Sequence, residues 1–145
     1  MQELLKKALL IAETYDVSTC KNCAVVYSIS YMPHENNKLQ AKEYIKNNNQ
    51  AKMLDDTPCG QALIELGLEG KVNNVGKEIT KIWQIASMRY IQSAIGNITA
   101  FVKDADERST FCQTELSEIM QNHKITQING IDKNIFYQNF HPKRY

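Results

Sequence analysis

A short segment around Glu115 combines a carboxylate with hydroxyl side chains. Glu115 lies at the predicted start of a helix, where the helix dipole favours the carboxylate anion. Ser109 and Thr110 precede it, and their hydroxyls and backbone N–H groups suit an anion such as a phosphate. Ligands of parallel α/β units bind at the carboxyl ends of the strands, which makes this segment a candidate site. A glutamate near a helix start is also a common stabilising choice, so the local pattern leaves both interpretations open.

A second candidate group lies upstream on a single predicted helix. Trp83 is the only tryptophan of the chain, and Ser87 follows it at the i+4 position. Side chains four residues apart lie on the same side of a helix, so both could face one cleft. A core position for Trp83 and a tight helix contact at Ser87 are the structural alternatives.

The elements that must position these residues follow from hydrophobic periodicity. Residues 78–95 have the strongest helical pattern, and Gly96 is expected to end that helix in the left-handed conformation. Alternating residues predict strands at 97–103 and 124–131. Between them, the sequence predicts a loop at 107–113 and a short helix at 114–122 that is capped by Thr114 or a nearby hydroxyl.

The first half of the chain is predicted to be mostly helical. Its apolar run at 24–31 reads as a short strand or a buried extended segment, although periodicity does not distinguish it from a buried helix. The other predicted elements are helices at 3–15, about 38–47 and 61–66, a turn at 53–60 and a loop at 68–77.

The order of elements predicts an α+β or α/β protein with a mainly parallel sheet, because helix–strand–helix–strand order favours right-handed parallel crossovers. A length of 145 residues suits one domain over 1–145. We expect a helical lobe over about 1–75 with part of 76–96, packed on a small α/β lobe over about 97–145.

Composition restricts the partners. A net charge of +1 with scattered basic residues argues against nucleic acid and against an anionic membrane. The amino-terminal apolar run is too short for a secretion signal, and no apolar stretch approaches the length of a membrane span. Export as part of a larger chain remains compatible with these features.

Four cysteines are present, of which Cys20 and Cys23 form a CxxC pair. A zinc site would need a second pair or histidines at ligand spacing, so no metal is predicted. Buried or unreactive thiols are the favoured interpretation, and a disulfide is the alternative if the chain passes through an oxidising compartment.

The stretch from Lys81 to Ile119 resembles the ADP-ribosyl cyclase family, which includes the cyclic-ADP-ribose hydrolases. In that family a helix carries a tryptophan with a serine four residues later, as Trp83 and Ser87 do here. A strand and then a Ser-Thr-Phe segment follow, with a catalytic glutamate four residues after the phenylalanine. The matching residues are Ser109, Thr110, Phe111 and Glu115.

A second cluster carries the same resemblance. The family has a Leu-Glu-Asp-Thr-x-x-Gly segment upstream of the tryptophan helix, and this chain reads Leu54-Asp55-Asp56-Thr57-Pro58-Cys59-Gly60. Here Asp55 replaces the family's glutamate and is one methylene shorter. The family's second active-site tryptophan is absent, and Tyr27 is the candidate for its place. Together the clusters extend the resemblance over roughly residues 53–131.

The resemblance implies an enzyme that cleaves the nicotinamide–ribose bond of NAD, with NAD as substrate and no cofactor. It implies catalytic roles for Glu115, Trp83 and Asp55. It implies substrate contacts for Ser87, Ser109, Thr110, Phe111, Asp56 and Tyr27. A shorter acid and a missing aromatic wall loosen control of the adenine, so we expect hydrolysis to ADP-ribose to exceed formation of cyclic ADP-ribose.

Four cysteines cannot build the family's dense disulfide set, which suggests a bacterial relative. A small NAD-cleaving domain without its own signal would suit a toxin delivered by a larger secreted protein into the cytoplasm of a target cell, with a cognate immunity protein as partner. Two alternatives stay open. One is a small ribonuclease toxin that uses His123, His141 and Arg108, and the other is a non-catalytic binding or immunity protein.

Overall fold

The computed structural model describes residues 2–28, 36–68 and 76–143, and these residues form six helices and four strands. In chain order they are α1 (Gln2–Thr14), β1 (Val25–Tyr27), α2 (Asn36–Lys46), α3 (Pro58–Glu65), α4 (Gly76–Ser93), β2 (Gly96–Phe101), α5 (Leu116–Gln121), β3 (Ile125–Ile128), β4 (Ile131–Asp132) and α6 (Lys133–Asn139). A one-turn 3-10 helix at Leu54–Asp56 and a π-helical turn at Phe111–Glu115 precede α3 and α5.

The strands form one sheet in the order β1-β2-β3-β4. The first three strands are parallel, and β4 is antiparallel to β3. The predicted fold class, with its mainly parallel sheet, is therefore confirmed. The first strand comes from the half of the chain predicted to be mostly helical, so the sheet joins both halves.

Helices cover the sheet on both faces. Successive strand side chains point to opposite faces, and on each face they pack against helices. Ile98 and Ala100 of β2 belong to the larger apolar core, which includes buried residues of α1, α3, α4 and α5. Phe101 of β2 and Val25 of β1 belong to a smaller cluster that also contains Ala41 of α2. Burial on both faces explains why the first strand is an unbroken apolar run rather than an alternating one.

The predicted turn at 53–60 is wrong in its second half, because α3 begins at Pro58 rather than at residue 61. Proline suits the first helical position, where its missing N–H needs no partner. The hydroxyl of Thr57 caps this helix by accepting a hydrogen bond from the N–H of Gly60. Pro58 and Gly60 therefore belong to the first turn of a helix and not to an irregular turn.

The predicted loop at 107–113 is wrong from residue 110 onwards, where helical structure begins, and the predicted cap at Thr114 is also wrong. Ser109 starts the helical segment, since its hydroxyl accepts from the N–H of Cys112 and its carbonyl from the N–H of Gln113. Glu115 therefore lies inside a helical segment and not at its start. A cap five residues earlier than expected is the physical reason.

The strand predicted for 124–131 ends at Ile128, where a hairpin begins. Asn129 and Gly130 have φ values of 54° and 75°, a pattern typical of a two-residue turn between antiparallel strands. The short strand β4 and helix α6 follow, neither of which was predicted. Gly96 has the expected left-handed φ, at 85°, but α4 already ends at Ser93 and Gly96 begins β2.

Cys20 and Cys23 form a disulfide, so the interpretation of these two as unreactive thiols is wrong. Cys59 is a buried free thiol and Cys112 is a half-buried one.

In residues 2–28, 36–68 and 76–143, no cluster of histidine, cysteine and acidic side chains could hold a metal ion. Within the same ranges, no helix combines the length and apolarity needed to cross a membrane. The predictions for residues 29–31 and 69–75 lie outside the described residues.

Candidate active site

A cavity of about 380 Å³ lies where α4 meets β1, the 3-10 turn and the segment that leads into α5. Its volume is within the usual range for small-molecule sites. Seven of the nine residues predicted for the site line it: Tyr27, Asp55, Trp83, Ser87, Ser109, Thr110 and Glu115. The cavity thus joins residues from both of the clusters that carried the sequence resemblance.

Glu115 is the buried acid of the cavity, with 7% of its surface exposed. Burial, reinforced by the nearby charge of Asp55, raises the pKa of the Glu115 carboxyl to about 8, although the Ser87 hydroxyl that hydrogen-bonds it acts in the opposite direction. In the π-helical turn, the N–H of Leu116 donates to the carbonyl of Phe111. Such turns are rare and are frequent at functional sites.

Helix α4 contributes five residues to the cavity wall, including three that carry an aromatic ring or a serine hydroxyl. Trp83, Ser87 and Tyr90 follow one another at spacings of four and three residues, which places them along one side of the helix. The ring of Trp83 is half-buried, and its indole N–H donates to the carbonyl of Leu68 at 3.1 Å. That bond fixes the orientation of the ring. Trp83 packs against the edge of the larger core and also lines the cavity.

The 3-10 turn presents Asp55 through contacts that its own sequence encodes. The hydroxyl of Thr57 donates to the carbonyl of Leu54 at 2.7 Å, and the side chain of Gln61 donates to the carbonyl of Asp55 at 2.6 Å. Gly60 packs directly against the turn, where an added Cβ would overlap the carbonyl oxygen of Leu54. The Leu-Asp-Asp-Thr-x-x-Gly pattern is thus a local device that fixes the position of one acid.

Two predicted site residues do not line the cavity. The side chain of Phe111 is fully buried in the larger core and packs edge-on against Phe140 at 5.6 Å between ring centroids. The carboxylate of Asp56 accepts a hydrogen bond from the N–H of Met53 at 3.0 Å. Phe111 therefore stabilises the core, and Asp56 stabilises the turn beside Asp55.

Nine further residues line the cavity that the sequence did not assign to an NAD site, and three of them are charged or phenolic. Arg108 binds the buried carboxylate of Asp106 through Nε and Nη2, at 3.1 and 3.0 Å. The ammonium of Lys38 lies 5.9 Å from the ring centroid of Tyr27. Tyr90 is the third, and its place on the same helical face as Trp83 was the available sequence signal.

Comparison with known proteins supports the fold through structure alone, since no protein-family model and no curated protein matches the sequence. A glutamate-to-alanine mutant of ADP-ribosyl cyclase aligns with a TM-score of 0.56 at 19% identity, covering 87% of this chain and 62% of that one. The chain thus spans less than two thirds of that cyclase.

Two further structures give the same result. Porcine CD38 complexed with a covalent intermediate, ribo-F-ribose-5'-phosphate, aligns with a TM-score of 0.58 at 19% identity, covering 87% of this chain and 67% of that one. Aplysia cyclase, complexed with substrate NGD and product cGDPR, aligns with a TM-score of 0.57 at 15% identity, covering 98% and 76%. The chain therefore has the fold of the ADP-ribosyl cyclases, as the sequence resemblance predicted.

Proposed function

We propose that this protein cleaves the bond between nicotinamide and ribose in NAD and releases mainly ADP-ribose. The observation that carries the proposal is the buried carboxyl of Glu115, which shares one cavity with Trp83 and with the hydroxyls of Ser87 and Thr110. The fold adds support, because two structural neighbours were solved with a covalent ribose phosphate intermediate or with the substrate NGD and its product.

The chemistry explains why a carboxylate and an aromatic ring suffice. When the C1'–N bond breaks, its electron pair stays on the nicotinamide ring, which leaves as a neutral molecule and needs no general acid. Positive charge develops on the ribose, and a fixed Glu115 carboxylate would stabilise it electrostatically or by covalent capture. Water then adds to C1' and releases a proton, which gives ADP-ribose.

Aromatic side chains would hold the nicotinamide before cleavage. The pyridinium ring is cationic in NAD, so stacking on Trp83 includes a cation–π attraction that is lost once the ring becomes neutral. Tyr27 lines the same cavity and is our candidate for the second aromatic wall. This arrangement favours substrate binding and weakens the binding of the nicotinamide product.

The cavity also carries groups that suit a pyrophosphate. Thr110 is exposed beside Arg108 and Ser109, and Lys38 lines the same cavity from α2. Guanidinium and ammonium groups are the usual partners of phosphate oxygens. We assign these four residues to the phosphates of NAD.

Asp55 would influence the fate of the ADP-ribosyl group after nicotinamide leaves. Attack by water gives ADP-ribose, whereas attack by the adenine ring gives cyclic ADP-ribose. A shorter acid than glutamate holds the adenine less closely, so hydrolysis should dominate. Chromatography of the products formed from NAD tests this, and a mainly cyclic product would contradict it.

The decisive experiment measures nicotinamide release from NAD by the wild-type protein and by Glu115→Gln, which keeps the size of the side chain. We expect wild type to be active and the variant to lose at least about a hundredfold in kcat, the scale for one electrostatic group. Ser93→Ala on the same helix is the control, because Ser93 does not line the cavity and its hydroxyl donates to the backbone carbonyl of Tyr90. Equal activity of wild type and Glu115→Gln would refute the proposal.

The biological role we propose is that of a bacterial toxin domain, delivered by a larger secreted protein, that depletes NAD in the cytoplasm of a target cell. A cognate immunity protein that blocks the cavity would be its partner. Expression of the domain in a bacterial cytoplasm should lower NAD and slow growth, while Glu115→Gln should do neither. Normal growth with active wild-type protein present would contradict the toxin role.

The ribonuclease alternative has less support from the site. Of the two histidines in the described ranges, His123 and His141, neither lines the cavity. Arg108 is the member of that set that does. An RNA-cleavage assay of Glu115→Gln separates the alternatives, because nuclease activity that survives this substitution would favour the ribonuclease.

A further inference from the structure

The hydroxyl of Tyr90 is completely buried at the wall of the cavity, where it joins two separate segments of backbone. It accepts a hydrogen bond from the N–H of Val25 at 2.9 Å. The carbonyl oxygens of Lys52 and Val25 lie 2.5 and 3.0 Å from it. A phenol has one proton to donate, and the shorter distance assigns it to Lys52. Tyr90 therefore ties α4 to β1 and to the backbone three residues before Asp55.

Consecutive turns of α4 thus hold both acids of the cavity. Ser87 hydrogen-bonds the carboxyl of Glu115 directly. Tyr90, three residues later, holds the carbonyl of Lys52, from which two residues lead to Asp55 in the 3-10 turn. One rigid helix is therefore the common reference for two acids that lie far apart in the sequence.

We propose that Tyr90 is a positioning residue that sets the distance between Asp55 and Glu115. Its catalytic meaning rests on the function proposed above, whereas the distance itself is a property of the fold. Two ionised carboxylates in one cavity repel each other. When the Tyr90 hydroxyl is removed, the Asp55 segment keeps the backbone bonds of Lys52 to Cys23 and Val25 but loses its tie to α4, so we expect it to shift away from Glu115.

The charged groups around Glu115 allow the effect of the Asp55–Glu115 distance to be separated from the effects of other charges. The charged or titratable side chains that line the cavity with it are Lys38 of α2, Asp55 of the 3-10 turn, Arg108 ahead of α5, Tyr27 of β1 and Tyr90 of α4. Asp55 is the neighbour whose charge raises the pKa of Glu115. Burial also raises the pKa of Tyr90, so its phenol stays neutral over the working pH range. Tyr90→Phe consequently changes no charge, so a shift that depends on the presence of Asp55 reports a changed distance between the two carboxyls.

The test titrates the Glu115 carboxyl carbon by NMR in protein labelled with 13C-glutamate, with Glu115→Gln identifying the resonance. In Tyr90→Phe we expect the midpoint to fall by about half a pH unit, because a like charge nearby raises the pKa of a carboxyl. In an Asp55→Asn background the same substitution should produce no further shift. Tyr44→Phe, which alters a tyrosine of the smaller α2 cluster, is the matched control and should leave the midpoint unchanged.

Several outcomes would overturn the proposal: an unchanged midpoint in Tyr90→Phe, an equal shift with and without Asp55, or a variant that does not fold. In the last case the hydroxyl would be structural. The N–H of Val25 keeps a bond of 3.0 Å to Lys52, so we expect folding to survive. The titration requires no turnover, so inactivity of the wild type on NAD would refute the proposed function and leave this test valid.

Discussion

At the scale of single residues, the carboxyl of Glu115 meets two opposing demands. Burial and the charge of Asp55 favour its protonated form, while the proposed reaction needs the anion. The cationic nicotinamide ring of NAD is the charge that would reconcile them, because an opposite charge nearby favours the ionised carboxyl. Binding of NAD would thus shift the Glu115 carboxyl from its protonated form towards the ionised form that the reaction needs.

This conflict predicts the pH dependence of the reaction. For free protein and free NAD, kcat/KM should rise with pH through a midpoint near 8, the pKa of Glu115, because only the anion is active. The midpoint of kcat should lie lower, since it reports the complex that contains the cationic ring. Initial rates of nicotinamide release from pH 5.5 to 9.5 measure both. Rates that fall through this range would contradict the assignment of Glu115.

The same group should affect stability. The folded-state pKa of Glu115 lies above the ordinary value of 4.5, so between these values the folded protein holds a proton that the unfolded chain has released. This contribution is fully present below pH 4.5 and is lost as pH rises towards about 8. Its slope in the free energy of unfolding is at most about 1.4 kcal/mol per pH unit.

Urea unfolding of wild type and Glu115→Gln at several pH values measures this slope. The difference in stability should change in favour of the variant as pH rises from 5 towards about 8, because glutamine carries no charge to bury. A constant difference between the two proteins over that range would show that the burial of Glu115 does not perturb its ionisation.

At the scale of elements, the 3-10 turn and α3 form one unit that presents Asp55. Thr57 closes the turn and caps the helix at the same time. Gly60 allows the first turn of α3 to approach the backbone of Leu54 and Asp55. These contacts are local, which is why the motif could be recognised in the sequence even though its helical start was interpreted as a turn.

Gly60→Ala should disrupt this unit. The new Cβ would overlap the carbonyl oxygen of Leu54 and lie 2.8 Å from the Cα of Asp55, so backbone must move. We expect the free energy of unfolding to fall by about 2 kcal/mol. We also expect kcat/KM for NAD to fall by a larger factor than the affinity for NAD. Thermal unfolding and NAD kinetics measure these effects.

Gly76→Ala is the matched control for that substitution. Gly76 begins α4, and an added Cβ would meet nothing within 4 Å. Because alanine is the better helix former, the free energy of unfolding of Gly76→Ala should equal that of the wild type or exceed it by about 0.5 kcal/mol. Equal effects of the two substitutions would remove the role we give to close packing at Gly60.

At the scale of the whole molecule, the Cys20–Cys23 disulfide lies on the chain just before β1, while the cavity takes residues from β1 itself. The bridge closes a loop of only four residues, so the chain-entropy model gives about 2 kcal/mol of stabilisation. Reduction should lower the melting temperature and leave kcat nearly unchanged, which is compatible with action in a reducing cytoplasm.

Scanning calorimetry and NAD kinetics with and without dithiothreitol check this expectation. The double variant Cys20→Ser/Cys23→Ser should match the reduced wild type and should not respond to the reductant. If reduction abolished activity while the protein remained folded, the bridge would have to be part of the site, and the proposed cytoplasmic action would lose its support.

The sequence by itself determined the features that depend on neighbouring residues. The i+4 spacing placed Trp83 and Ser87 on one side of a helix, and alternation identified β2 and β3, although it did not distinguish β1 from a helix. The family resemblance carried by two ordered clusters was enough to predict the fold, and seven of the nine site residues that it implied line the cavity. The hairpin at Asn129 and Gly130 carried an equally local signal that was missed.

Tertiary packing alone decided the rest. It brought Asp55 beside Glu115 across many residues of chain, buried the carboxyl of Glu115, and directed Phe111 into the core rather than into the cavity. Local periodicity gives the direction of a side chain within its own element, but not which element it meets. That choice depends on how the sheet pairs and how α4 packs, so the electrostatics of the site appear only when the chain is folded.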